Sequence, residues 1–186
     1  DVERKIVNRH HIAESADDAA RYQRRIAEVH IAHDAAPDAR SAFLRALDHV
    51  PDDLEAMSGI KAIARQEEDW QGLVGILSRE FEVRDGDEQV QLAREIAQIW
   101  EDRIGDGAVA AEAWRTVIEL VPGDKVALER MVHLAETNAD WPSFIGDGKS
   151  LVNFLEGEER SSLLARMGRA ALQHLRREDE AVRLLE

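Results

Sequence analysis

The triplet Gly148-Lys149-Ser150 matches the end of a phosphate-cradling loop, in which a lysine reaches the phosphates and a serine hydroxyl reaches magnesium. That chemistry also needs a first glycine five residues before Gly148, where Ser143 stands instead. It needs a buried strand leading in, so that backbone N–H groups converge at a helix N-terminus. The preceding residues instead belong to a helix that starts at Asp140, so no nucleotide is expected here. Gly146-Asp147-Gly148 is expected to kink or interrupt that helix.

Histidines 10, 11, 30 and 33 would meet if the first two helices are antiparallel, as in a helical-bundle metal site. No Glu-x-x-His pair supports them, and the adjacent His10 and His11 point to different sides of a helix. Solvated or packed imidazoles are the expectation, with no metal. Asp85-Gly86-Asp87 lacks the twelve-residue ligand rhythm of a calcium loop. The runs Arg65-Gln66-Glu67-Glu68-Asp69 and Glu156-Gly157-Glu158-Glu159-Arg160 read as solvated loop edges and helix starts. With no cysteine, a single tyrosine and no Ser-His-Asp cluster, no catalytic group and no cofactor are expected.

Composition narrows the partners. A formal charge of −14 opposes a phosphate backbone, so nucleic acid is excluded as the expected ligand. No apolar run approaches the ~20 residues that span a bilayer. A soluble, cytoplasmic protein is expected, although the missing cysteines do not fix the compartment. Aromatics are only 5%, so the core must be mostly Ala, Leu, Ile and Val, residues suited to closely packed helices.

The elements that carry these residues repeat. Residues 42–75 align without a gap on residues 113–146, an offset of 71 that preserves Pro51/Pro122, Asp53/Asp124, Asp69/Asp140 and Trp70/Trp141. A third copy continues through Leu163, Met167, Leu175 and Ala181. Residues 26–30 resemble residues 96–100 at offset 70, one residue short. Ala110, Ala113, Trp114, Val117, Ile118 and Val121 form one stripe of a 3.6-residue helix, and Ala39 to Val50 repeat it. Pro51 and Pro122 follow helices that have just ended, while Pro37 and Pro142 fit first turns. Asp69 and Asp140 fit as N-caps. Helices are therefore predicted near 2–14, 17–33, 37–50, 53–66, 70–83, 88–104, 107–121, 124–138, 141–155, 159–175 and 178–186. Short connections make neighbours antiparallel. Trp70 and Trp141, at equivalent turns, are expected to be structural joints rather than ligand platforms.

Half of 71 is close to the 34-residue unit of a tetratricopeptide array. Residues 96–124 resemble that family. Ile96-Ala97 stands where it has Leu-Gly, Trp100 and Trp114 at its aromatics, and Gly105-Asp106 at its turn. Ala110 matches its small crossing residue and Pro122 its closing proline. The first helix carries one extra residue before Gly105, and the alternate units have Lys61 and Val132 where the family has a small residue.

The resemblance implies an all-α, right-handed superhelical solenoid of antiparallel helix pairs, about eleven helices in one repeat domain over 1–186. Residues 1–15 would trail a preceding unit, followed by units near 17–50, 52–83, 88–121, 123–155 and 159–186. The chain is read as a fragment of a longer array, whose uncapped ends could self-associate. The resemblance also implies a non-catalytic scaffold that binds a peptide or partner protein in a concave groove. Positions beside each packed stripe then line that groove: Arg24, Glu28, Arg65, Arg94, Gln98, Glu129, His133 and Arg169. Two readings from other classes stand beside it. One is a helical regulatory or sensor region attached to an enzyme, and the other is a helical bundle with a histidine metal site.

Overall fold

The computed structural model describes residues 15–185. The helix expected over 2–14, with His10 and His11, and the terminal Glu186 lie outside the described residues. Among the described residues all regular structure is helical: α1 (Ala16–Ala32), α2 (Ala36–His49), α3 (Leu54–Gln66), α4 (Trp70–Phe81) and α5 (Gly86–Ile99) come first. A π-helical turn, Trp100–Ile104, extends α5. Then follow α6 (Gly107–Leu120), α7 (Lys125–Thr137), α8 (Trp141–Leu151), a 3-10 turn (Val152–Phe154), α9 (Gly157–Gln173) and α10 (Glu178–Leu185). Connections of a few residues fold consecutive helices back as antiparallel pairs. The chain divides between Leu92 and Ala93, inside α5, into two compact units.

Side chains start most of these helices. The Asp53 carboxylate accepts the Ala56 N–H at 3.0 Å, and Asp124 accepts the Ala127 N–H at 2.9 Å. Asp69 and Asp140 cap α4 and α8 through the Gly72 and Ser143 N–H groups, at 2.9 and 3.3 Å. Pro37 and Pro142 sit in the first turns of α2 and α8, where a missing N–H removes no helical bond. Pro51 and Pro122 follow Val50 and Val121, the non-helical residues that end α2 and α6.

The backbone repeats as the side chains do. Every left-handed residue among those described falls on the 71-residue period: Asp34, Gly105 and Arg176; Glu68 and Ala139; Gly86 and Gly157. The first two sets terminate the leading helix of each pair, where one left-handed residue lets the chain reverse. Their spacing alternates between 34 and 37 residues, so a short and a long unit together make the period. Pairs are joined in two ways, by the Val-Pro-x-Asp turns at 50–53 and 121–124 or by the left-handed Gly86 and Gly157. The one-residue slip between residues 26–30 and 96–100 is also located. The copies are offset by 70 as far as His30/Trp100 and by 71 from Asp34/Gly105 onward. The extra residue therefore lies within Trp100–Ile104, where the helix widens into a π turn and the Gly105 N–H reaches back to the Trp100 carbonyl. Inserting one residue into a helix produces this geometry.

In the first unit Phe43, Leu47, Met57, Leu73 and Leu77 are buried, and the Phe43 ring occupies the space a Cβ on Gly59 would need. In the second, Trp114, Val117, Phe144 and Met167 are fully buried. The expectation for Gly146-Asp147-Gly148 is corrected here. The helix α8 runs unbroken through all three residues. Gly148 is needed for proximity: a Cβ there would lie 2.6 Å from the Met167 Sδ. Gly146 has open space beside it.

Candidate partner-binding cleft

Within each compact unit, ion pairs about thirty residues apart in sequence tie one leading helix to the start or end of the neighbouring one. Arg24 of α1 pairs with Asp53, and its Nε lies 3.0 Å from Glu55 Oε2. At the equivalent place in the second unit, the Arg94 Nε donates to Asp124 at 3.0 Å. Arg130 binds Glu101 at 3.2 Å, and Arg166 binds Glu136. Burial works against the Asp124 charge, but the Ala127 N–H and Arg94 outweigh it and hold the carboxyl below its ordinary range. Two residues expected in the groove, Arg24 and Arg94, are thus half-buried ties between helices.

The rest of that set lies as follows. Glu28 is exposed on α1, Arg65 on α3, Gln98 on α5 and Arg169 on α9. Glu129 and His133, exposed on α7, are brought together in a cleft of about 350 Å³ between α7 and α9. Its floor is apolar: Val132, Leu151, Leu155 and Leu163. Its rim carries both signs, with Glu129 and Glu159 against Arg166. Arg24 lines a cleft of about 530 Å³ in the first unit, with Asp17, Asp52 and Glu55 around it. Sequence reasoning missed the floor, because Leu151 ends α8 and Leu155 follows its 3-10 turn, off the stripes of α7 and α9. The arginine-to-aspartate ties did leave a signal, since Asp53/Asp124 and Arg24/Arg94 both recur between copies.

Other sequence candidates take defined places. The N–H groups around Gly148-Lys149-Ser150 sit inside α8, and Lys149 Nζ lies 2.5 Å from Glu180 Oε1, so nothing converges to cradle a phosphate. His30 lies in the last turn of α1 and His33 is its C-terminal cap, with the His33 Nδ1 2.7 Å from the Val29 carbonyl. Trp70 and Trp141 begin α4 and α8 directly after their capping aspartates, and both are half-buried. Trp141 stacks on His174 at 4.0 Å and meets Phe144 edge-on at 6.1 Å. Among the described residues no helix is long and apolar enough to cross a membrane.

Antiparallel helix pairs recurring in alternating 34- and 37-residue units make this a tetratricopeptide-like, all-α repeat fold. Solved structures similar to it include MamA, at 13% identity and a TM-score of 0.49 over 86% of this chain and 90% of that one. Another is YrrB, described as a TPR protein with an unusual peptide-binding site, at 9% identity and 0.48 over 88% and 81%. The Pseudomonas aeruginosa protein PilF follows at 13% identity and 0.46, over 91% and 73%. No family model matches the chain, and no curated protein matches its sequence.

Proposed function

We propose that this chain is a non-catalytic interaction module that holds a peptide segment of a partner protein against the leading helices of its pairs. The cleft between α7 and α9 carries this reading. Four aliphatic side chains floor it, and a rim of both charge signs surrounds it. Such a site suits an apolar side chain of a peptide, with the rim setting register and orientation. The charge of −14 favours a protein over a nucleic acid as partner.

Selection of a random peptide library on the intact chain tests this. Enriched peptides should carry an aliphatic or aromatic anchor. Their affinity should fall about tenfold or more in a Glu129→Lys, His133→Glu double variant, equivalent to about 1.4 kcal/mol. Failure to enrich any peptide, or equal binding to the double variant, would overturn the assignment.

A further inference from the structure

At about 100° per residue, Glu129, Val132 and His133 share one face of α7, while Met131, Leu134, Ala135 and Asn138 share the opposite one. On that opposite face α6, α7 and α8 enclose a second cavity of about 380 Å³. Ala111, Met131, Leu134 and Ala135 supply apolar wall, and Glu112, Arg115, Asp140 and Asp147 supply charge. Three of these charged groups are engaged. Asp140 accepts the Ser143 N–H at 3.3 Å, and Arg115 donates to Glu112 at 2.7 Å. Of the fourth, Asp147, the Oδ2 is buried without a hydrogen-bond partner.

An oxygen left this way costs the fold free energy that a polar partner would recover. We propose that this cavity is a second docking site, which takes an arginine or lysine side chain of a partner protein with the Asp147 carboxylate as its counter-charge. The charges decide the sign of the guest. Three carboxylates against one arginine leave the lining two units negative, so an anion would be repelled and an apolar guest would leave the oxygen orphaned. The apolar wall suits the aliphatic stem of a long cationic side chain. Burial raises the Asp147 carboxyl above its usual range, with Arg115 opposing and Asp140 adding to the rise. A cation beside it would favour the charged form. This site lies across α7 from the cleft of the preceding section, so either could be filled without the other.

Titration of the intact chain with N-acetylarginine amide, followed by amide chemical shifts, tests the proposal against the neutral isostere N-acetylcitrulline amide. Shifts are expected only with the arginine compound, clustered over residues 108–115 and 138–147. Asp147→Asn should weaken the binding about tenfold. Arg115→Gln, which removes the resident competing cation, should tighten it about two- to fivefold. Equal responses to both compounds, or unchanged binding in a folded Asp147→Asn variant, would overturn the site. If Asp147→Asn does not fold, Arg115→Gln decides, and absence of tightening counts against it.

Discussion

Replacing Gly146 and Gly148 separately with alanine probes one helix with opposite expected signs. Both residues lie inside α8, so both variants gain the same helix propensity, about 1 kcal/mol over glycine. They differ in what the added methyl meets. Beside Gly146 nothing lies within 4 Å. Beside Gly148 the methyl would stand 2.6 Å from Met167 Sδ and 3.3 Å from its Cγ and Cε. Met167 is fully buried, so its thioether cannot swing into solvent. Overpacking of this kind costs about 1–3 kcal/mol. Gly146→Ala should therefore be more stable than the parent by up to about 1 kcal/mol, and Gly148→Ala less stable by up to about 2 kcal/mol. Propensity cancels in the difference between the two variants, which leaves the clash alone. Urea denaturation followed by circular dichroism measures it. Adding Met167→Val to Gly148→Ala should recover part of the loss, which separates a clash from a backbone effect. Equal stability of the two single variants would refute the close approach of α8 to α9.

Asp124→Ala should cost about 2–3 kcal/mol, summing a lost cap and a lost charge-assisted bond to the half-exposed Arg94, whereas Asp124→Asn keeps the cap and should cost about 1 kcal/mol. Equal losses in chemical denaturation would remove the capping share. Because the folded Asp124 carboxyl lies below the usual value of 3.8, its contribution is complete above that value and disappears as pH falls through the folded pKa. The gap between parent and Asp124→Asn should then close in acid, and a gap constant from neutral pH downward would contradict the assignment. Trp141→Ala removes the stack on His174 and the edge contact with Phe144 and, from a half-buried position, should cost about 1–3 kcal/mol. Trp70→Ala should lose a similar amount, and near-zero changes at both positions would sink the structural-joint role.

Much of this architecture is local and was legible in residue order. Helix stripes, Asp69 and Asp140 as caps, Pro37 and Pro142 in first turns and the 71-residue period all depend on contacts within one turn or one helix, so the pattern of residue types is enough. The extra residue before Gly105 was visible as well. What that residue does to the backbone was not, because a one-residue insertion can be absorbed by a loop or by a π turn, and only packing on both sides of Trp100–Ile104 selects between them. The same limit explains Gly146-Asp147-Gly148. Composition reads two glycines as a break, but α8 is continuous and Met167 of a neighbour packs close to Gly148, an approach absent from any local window. Ion pairing between helices was hidden in the same way. Arg24 and Arg94 occupy the positions expected for groove residues, yet each is drawn into a tie with an aspartate about thirty residues on. The Asp147 Oδ2 has no hydrogen-bond partner where α6, α7 and α8 meet. Which side chains are paired and which are left available depends on distances between helices, and only the tertiary fold sets those distances.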